Sequence, residues 1–147
     1  MKKYSLATAF AISFSFIACA QNTGKEKQNP RTLKISNKKQ EKMDLSKITD
    51  TSVKQAIEAL QTGDKSWYDF FTANPVMTDD GNTVNFKSFF SNALGKEMFL
   101  TIDRVENDGK DIYGNFKAGQ WGTFPVFFKF HKNPEGKFDR LDIGQAH

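Results

Sequence analysis

The sequence predicts an α+β domain: three N-terminal helices packed on a four-stranded antiparallel sheet, with a short irregular hairpin before the third helix. Three observations carry that expectation. Between residues 49 and 95 apolar side chains recur at helical spacing. From residue 98 the chain breaks into strand-length runs. The links between those runs are short, which forces antiparallel neighbours.

Val53, Ala56, Ile57 and Leu60 fall at i, i+3, i+4 and i+7, the apolar stripe of a first helix. Asp50, Thr51 or Ser52 can cap its start, and Gly63 its end. Asp64 can open a second, short helix with Trp67, Phe70 and Phe71 on one side. Asn74-Pro75 stops it, because the residue before proline avoids the helical region. Residues 76–84 are too short and polar for a core element, and Asp79-Asp80-Gly81-Asn82 reads as a tight turn. Phe86, Phe89, Phe90, Ala93 and Leu94 share one side of a third helix, ended by Gly95.

Strands are expected over residues 98–106, 111–118, 121–131 and 137–143, joined by turns at Asn107-Asp108-Gly109, Gly119-Gln120 and 133–136. In the third strand Phe124, Val126, Phe128 and Phe130 share one face, and Trp121, Phe127, Lys129 and His131 the other. Large groups on both faces imply that both are partly covered. Pro125 lacks an N–H, which predicts a sheet edge or a bulge there.

Ahead of this domain, Lys2 and Lys3 precede an uncharged run that is too short to span a bilayer and ends at Cys19, the chain's one cysteine. That is the form of a secretory signal over residues 1–18. Phe16-Ile17-Ala18-Cys19 also resembles a bacterial lipobox, which makes Cys19 a lipid-anchor site and places the chain on the membrane of the cell envelope, at the outer membrane or on the periplasmic side. Ala18-Cys19-Ala20 is at the same time an A-x-A site, and cleavage after Ala20 would release a soluble periplasmic or secreted protein. Residues 19–48 read as a polar, basic, disordered tether. Residues 1–42 carry nine Lys/Arg and two Glu, whereas residues 43–147 carry twelve Lys/Arg and fifteen Asp/Glu. The folded part is therefore mildly acidic, which argues against a nucleic-acid partner. Without a second cysteine, disulfides and Cys-ligated metal are excluded by counting.

The order of elements resembles the nuclear-transport-factor-2-like superfamily, with its SnoaL-like and ketosteroid-isomerase-like branches, over residues 49–147. The residues that carry the resemblance are Leu60-Gln61-Thr62-Gly63-Asp64 with Trp67 and Phe70-Phe71, then Phe127-Phe128-Lys129-Phe130, and finally residues 136–143. It implies a curved sheet wrapped around the helices into a cone, a pocket at the open end and, in many members, a homodimer through the sheet. Members include enzymes, ligand binders and scaffolds, so the fold does not select a chemistry.

Six aromatics, Trp67, Phe71, Phe90, Tyr113, Trp121 and Phe127, are candidates for lining a pocket for a small apolar or partly polar ligand. The leading expectation is such a binder, non-catalytic and without cofactor or metal. The alternative is an acid–base enzyme (isomerase, dehydratase or hydrolase) with Asp142 or Asp103 as base and His131 or Tyr113 as helper. In the ketosteroid-isomerase branch a carboxylate works opposite a tyrosine, and neither Tyr68 nor Tyr113 can be matched to that role. A third class is a structural module whose open sheet face binds itself or another envelope protein. A filled cone favours that class.

Overall fold

The computed structural model describes residues 43–147. The expected signal peptide, Cys19 and the tether up to residue 42 lie outside the described residues. The packed domain starts earlier than residue 49, because Leu45 and Ile48 are 7% and 3% exposed and belong to the core.

Helix α1 (Thr51–Thr62) forms where the stripe predicts it, burying Val53, Ala56, Ile57, Ala59 and Leu60. Asp50 is its N-cap and accepts from the Val53 N–H at 3.0 Å. The same carboxylate takes both oxygens to Lys132 Nζ at 2.7 and 2.8 Å, so one side chain caps the helix and ties it to the sheet. The second helix is a 3-10 segment, Lys65–Phe70, opened by Asp64 as expected. It stops at Phe70, because Phe71 is extended and starts a strand.

That strand is the main departure from the sequence reading. Strand β1 (Phe71–Asp79) runs through Asn74-Pro75 and pairs in parallel with the last strand, β7 (Phe138–Gln145). Five residue steps of β1, from Phe71 to Val76, are set against the two from Phe138 to Arg140, and this bulge accommodates the proline. The strand buries Phe71 and Met77 while its intervening residues stay open, which is why it reads as polar. Asp80 and Gly81, both at positive φ, turn it into the two-residue β2 (Asn82–Thr83).

After α2 (Phe86–Ala93), whose N-cap Asn85 accepts from the Ser88 N–H, the expected strand 98–106 is split into β3 (Met98–Phe99) and β4 (Arg104–Glu106). Both pair with β5 (Asp111–Lys117), and β6 (Thr123–Lys132) lies between β5 and β7. The sheet therefore has seven strands in the order β2-β1-β7-β6-β5-β3, with β4 also on β5, where the sequence suggested four. Edge strand β3 is closed from outside by the Gln61 amide, which donates to the Phe99 carbonyl at 2.8 Å and accepts from its N–H at 2.7 Å.

Side chains on β6 alternate as predicted: Phe128 and Phe130 are buried, and His131 is exposed. Pro125 pairs with Asn115 on β5 and lies just outside the β6–β7 ladder, a local edge as the sequence predicts. Its carbonyl accepts from Ala146, so its missing N–H faces the side where β7 has already run out. The class is α+β, with the helices packed in a curled, open sheet.

Candidate functional site

The space between helices and sheet is filled with rings. Trp67, fully buried, has Phe90 at 4.7 Å and Phe71 at 4.8 Å between ring centroids, with Phe86 and Phe130 at 6.2 and 6.3 Å. Phe71 packs on Phe86 at 4.4 Å, and Phe138 closes the cluster at 4.9 Å from Phe130. Within this cluster the Trp67 Nε1–H is buried without an acceptor. Shallow grooves lie at the surface among the described residues. One of about 410 Å³ lies along Met43, Leu45, Lys54 and Glu58; another, of about 140 Å³, lies beside Pro75, Val84 and Phe86.

The six aromatic candidates are not brought to one cavity. Trp67, Phe71 and Phe90 are core residues. Tyr113 and Phe127 stand on the opposite, outer face of the sheet, 6.4 Å apart, because their neighbours Ile112 and Phe128 point inward. Trp121 sits in the β5–β6 turn and is 58% exposed. The outer pair is covered by cations: Arg104 lies 4.1 Å above the Tyr113 ring, and Lys129 5.1 Å above Phe127.

Asp142 and His131 do meet on that outer face. Asp142 Oδ2 lies 2.9 Å from His131 Nε2, Arg140 Nε donates to both carboxylate oxygens at 2.9 Å, and Thr78 Oγ1 donates to Oδ1 at 2.6 Å. Burial works to raise the Asp142 pKa, but hydrogen bonds from Arg140, Thr78 and His131 overturn it and hold the group below its ordinary value. A carboxylate so stabilised as an anion is a poor proton acceptor near neutrality. Asp103 lies across β5 and β6 from it, exposed, with Asn115 Nδ2 at 3.3 Å. The two candidate bases therefore do not form one site.

A different pair of acids carries the opposite electrostatics. Asp79 and Glu97 are both half-buried, and burial is the main cause that pushes their pKa values up. Asp80 adds to the rise at Asp79, and Asp79 adds to the rise at Glu97. The sequence reading assigned Asp79 to a turn and passed over Glu97, since no local spacing relates residues from separate elements. Among the described residues no group of three or more His, Cys, Asp or Glu could hold a metal ion.

These shifts give stability a non-monotonic pH profile. Asp79 and Glu97 have raised folded values, so folding gains as pH falls through them. Asp50 and Asp142 have depressed folded values, so their contribution is complete above the unfolded carboxylate pKa of about 4 and is lost as pH falls through the folded values. Urea midpoints are expected to rise as pH falls from 7 toward the unfolded carboxylate pKa of about 4 and to fall again below it.

No protein-family model matches the chain, and no curated protein matches it in sequence. Solved structures do match. An NTF2-like protein from Anabaena variabilis superposes with a TM-score of 0.51 at 16% identity, over 71% of this chain and 94% of that one. A protein from Sphaerobacter thermophilus gives 0.51 at 11% identity, over 65% and 94%. Fremyella diplosiphon OCP1 gives 0.50 at 11% identity, over 71% of this chain and 40% of that larger one. The fold is nuclear-transport-factor-2-like. At these identities the likeness extends to the fold alone. Within this NTF2-like cone Trp67 and the phenylalanines around it occupy the interior, and the Asp142 cluster lies outside it.

Proposed function

We propose that this chain is an exported, lipid-anchored, non-catalytic binding domain, and that its binding surface is the outer face of the sheet. The observation that carries this reading is the filled interior: the ring contacts around Trp67 occupy the place where an NTF2-like cone would hold a small molecule. The outer face offers Tyr113, Phe127, Arg104 and Lys129, and aromatic residues and arginine are the types enriched in protein interfaces. Asp142, held as an anion, orders Arg140, His131 and Thr78 on the same surface. A second copy of the chain or another envelope protein fits such a face.

A second reading, a small apolar ligand in the interior, is favoured by one observation, the orphaned Trp67 N–H, which would meet a ligand's acceptor. Native mass spectrometry of the protein from its own envelope, combined with cross-linking, separates the two. A protein-sized adduct with no retained small molecule is expected, weakened at least about tenfold by Tyr113→Ala or Phe127→Ala. A retained small molecule, with no protein adduct, would overturn the first reading. Fatty-acid labelling that depends on Cys19 tests the anchor.

A further inference from the structure

Three large apolar side chains are exposed among the described residues: Val76 and Leu100 at 49%, and Trp121 at 58%. Val76 is on β1, while Leu100 and Trp121 belong to the opposite side of the sheet. Leu100 follows edge strand β3, and its N–H donates to the Asn115 carbonyl. Met98 of β3 stands opposite Lys117, from which the chain enters the turn that holds Trp121.

The start of the described chain reaches the same edge. Gln61, which clamps the Phe99 backbone, also has its Nε2 3.7 Å from Met43 Sδ. Four residues on, Lys47 Nζ donates to the carbonyls of Ile102 at 2.9 Å and Asp103 at 3.3 Å. The described chain thus begins along the edge that carries Leu100 and whose far end adjoins the Trp121 turn.

We propose that this corner, Leu100 with the Trp121 turn, rests on an anionic lipid surface when the chain is anchored. The proposal builds on the lipid-anchor reading above. Single exposed apolar residues are ordinary on protein surfaces. Here Leu100 lies on the edge where the described chain begins, the Trp121 turn borders its far end, and exposed Lys96 and Lys117 stand on the adjoining strand ends. Indole is the side chain best suited to the headgroup region, with an apolar body and one N–H donor. Between Lys96 and Leu100 the one acid is Glu97, half-buried with its pKa raised by that burial, while exposed Asp103 follows three residues beyond Leu100. Residues 19–42 add seven Lys/Arg against two Glu, drawn toward anionic headgroups. Those 24 residues reach at most about 85 Å. They hold the domain near the surface at an effective concentration on the order of millimolar, so a weak contact is enough to be populated.

Because Cys19 is the one thiol, the chain from Cys19 onward can be coupled to maleimide-lipid vesicles, which imposes the anchor chemically. Vesicles of phosphatidylcholine with phosphatidylglycerol, containing brominated lipid, are expected to quench Trp121 emission. The quenching should disappear in Trp121→Phe, which leaves only buried Trp67, and fall at least about twofold in Leu100→Ser, the partial loss expected when one of two contacts is removed. Coupled protein without bromine quenching, its Trp121 still open to iodide, would overturn the proposal. So would iodide protection that rises with protein concentration in the absence of vesicles, because the corner would then be a contact between copies. A negative fatty-acid label would count against the anchor and leave this outcome readable.

Discussion

Trp67→Ala is expected to destabilise the domain by about 3 kcal/mol, measured as a fall in urea midpoint at unchanged m-value. Truncating a buried tryptophan costs about 3–5 kcal/mol when the space cannot collapse. The rings of Phe71, Phe86, Phe90 and Phe130 are held by three elements, β1, α2 and β6, so collapse is limited. Against this, removing an unpaired buried N–H returns part of its desolvation cost of about 1–3 kcal/mol, which places the expectation at the low end. For a domain worth about 5–15 kcal/mol the loss is large but leaves a measurable transition. Trp67→Phe isolates the two effects. It keeps most of the packing and deletes the donor, so it is expected to fall within about 1 kcal/mol of wild type. If the indole instead lined an open pocket, Trp67→Ala would change stability by no more than about 0.5 kcal/mol. If a bound ligand accepted from Nε1, Trp67→Phe would lower stability only while the ligand is present.

Some of this architecture is legible in the sequence because its signal is local. The stripe of α1 and its Asp50 and Gly63 caps lie within a dozen residues, and the alternation along β6 assigns Phe128 and Phe130 inward and His131 outward. Other parts depend on partners distant in sequence. Strand β1 carries only Phe71 and Met77 inward and contains a proline, so its alternation is too weak to identify. It becomes a strand because β7 offers a ladder beside it, and that pairing also sets Thr78 against Asp142. The site suffered from the same limit. Asp142 is visible from the burial of Leu141 and Ile143 around it, but its Thr78 donor is not. The six aromatics were recognisable as too many for a uniform fate, and alternation separates Tyr113 from Ile112. Which face of the sheet meets the helices decides core against surface, and that is a tertiary fact.

Gly114→Ala tests the other feature that local reading missed, the break between β3 and β4, and is expected to cost about 3 kcal/mol or more. A Cβ at Gly114 would stand 2.0 Å from the Thr101 carbonyl oxygen and 3.0 Å from its carbon, so the obstruction is backbone and cannot swing aside. Thr101 is fixed there from several directions. Its Oγ1 accepts from the Asn115 N–H at 3.2 Å and from Asn115 Nδ2 at 3.1 Å, while Leu100 N–H donates to the Asn115 carbonyl at 2.7 Å. Beyond it Ile102 is buried in the core, and the Asp103 N–H donates to Tyr113 at 2.8 Å. A methyl group would lift this segment off β5, lengthen these bonds and draw Ile102 outward. Gly136→Ala provides the scale. Gly136 also resists substitution, because its φ is +83°, but nothing lies within 4 Å of its Cβ position. Conformational strain alone should cost about 1–2 kcal/mol there. The Gly114 excess over Gly136, read from urea midpoints, therefore measures the steric part. Equal costs at the two positions would mean that the chain from β3 to β4 does not dip onto β5.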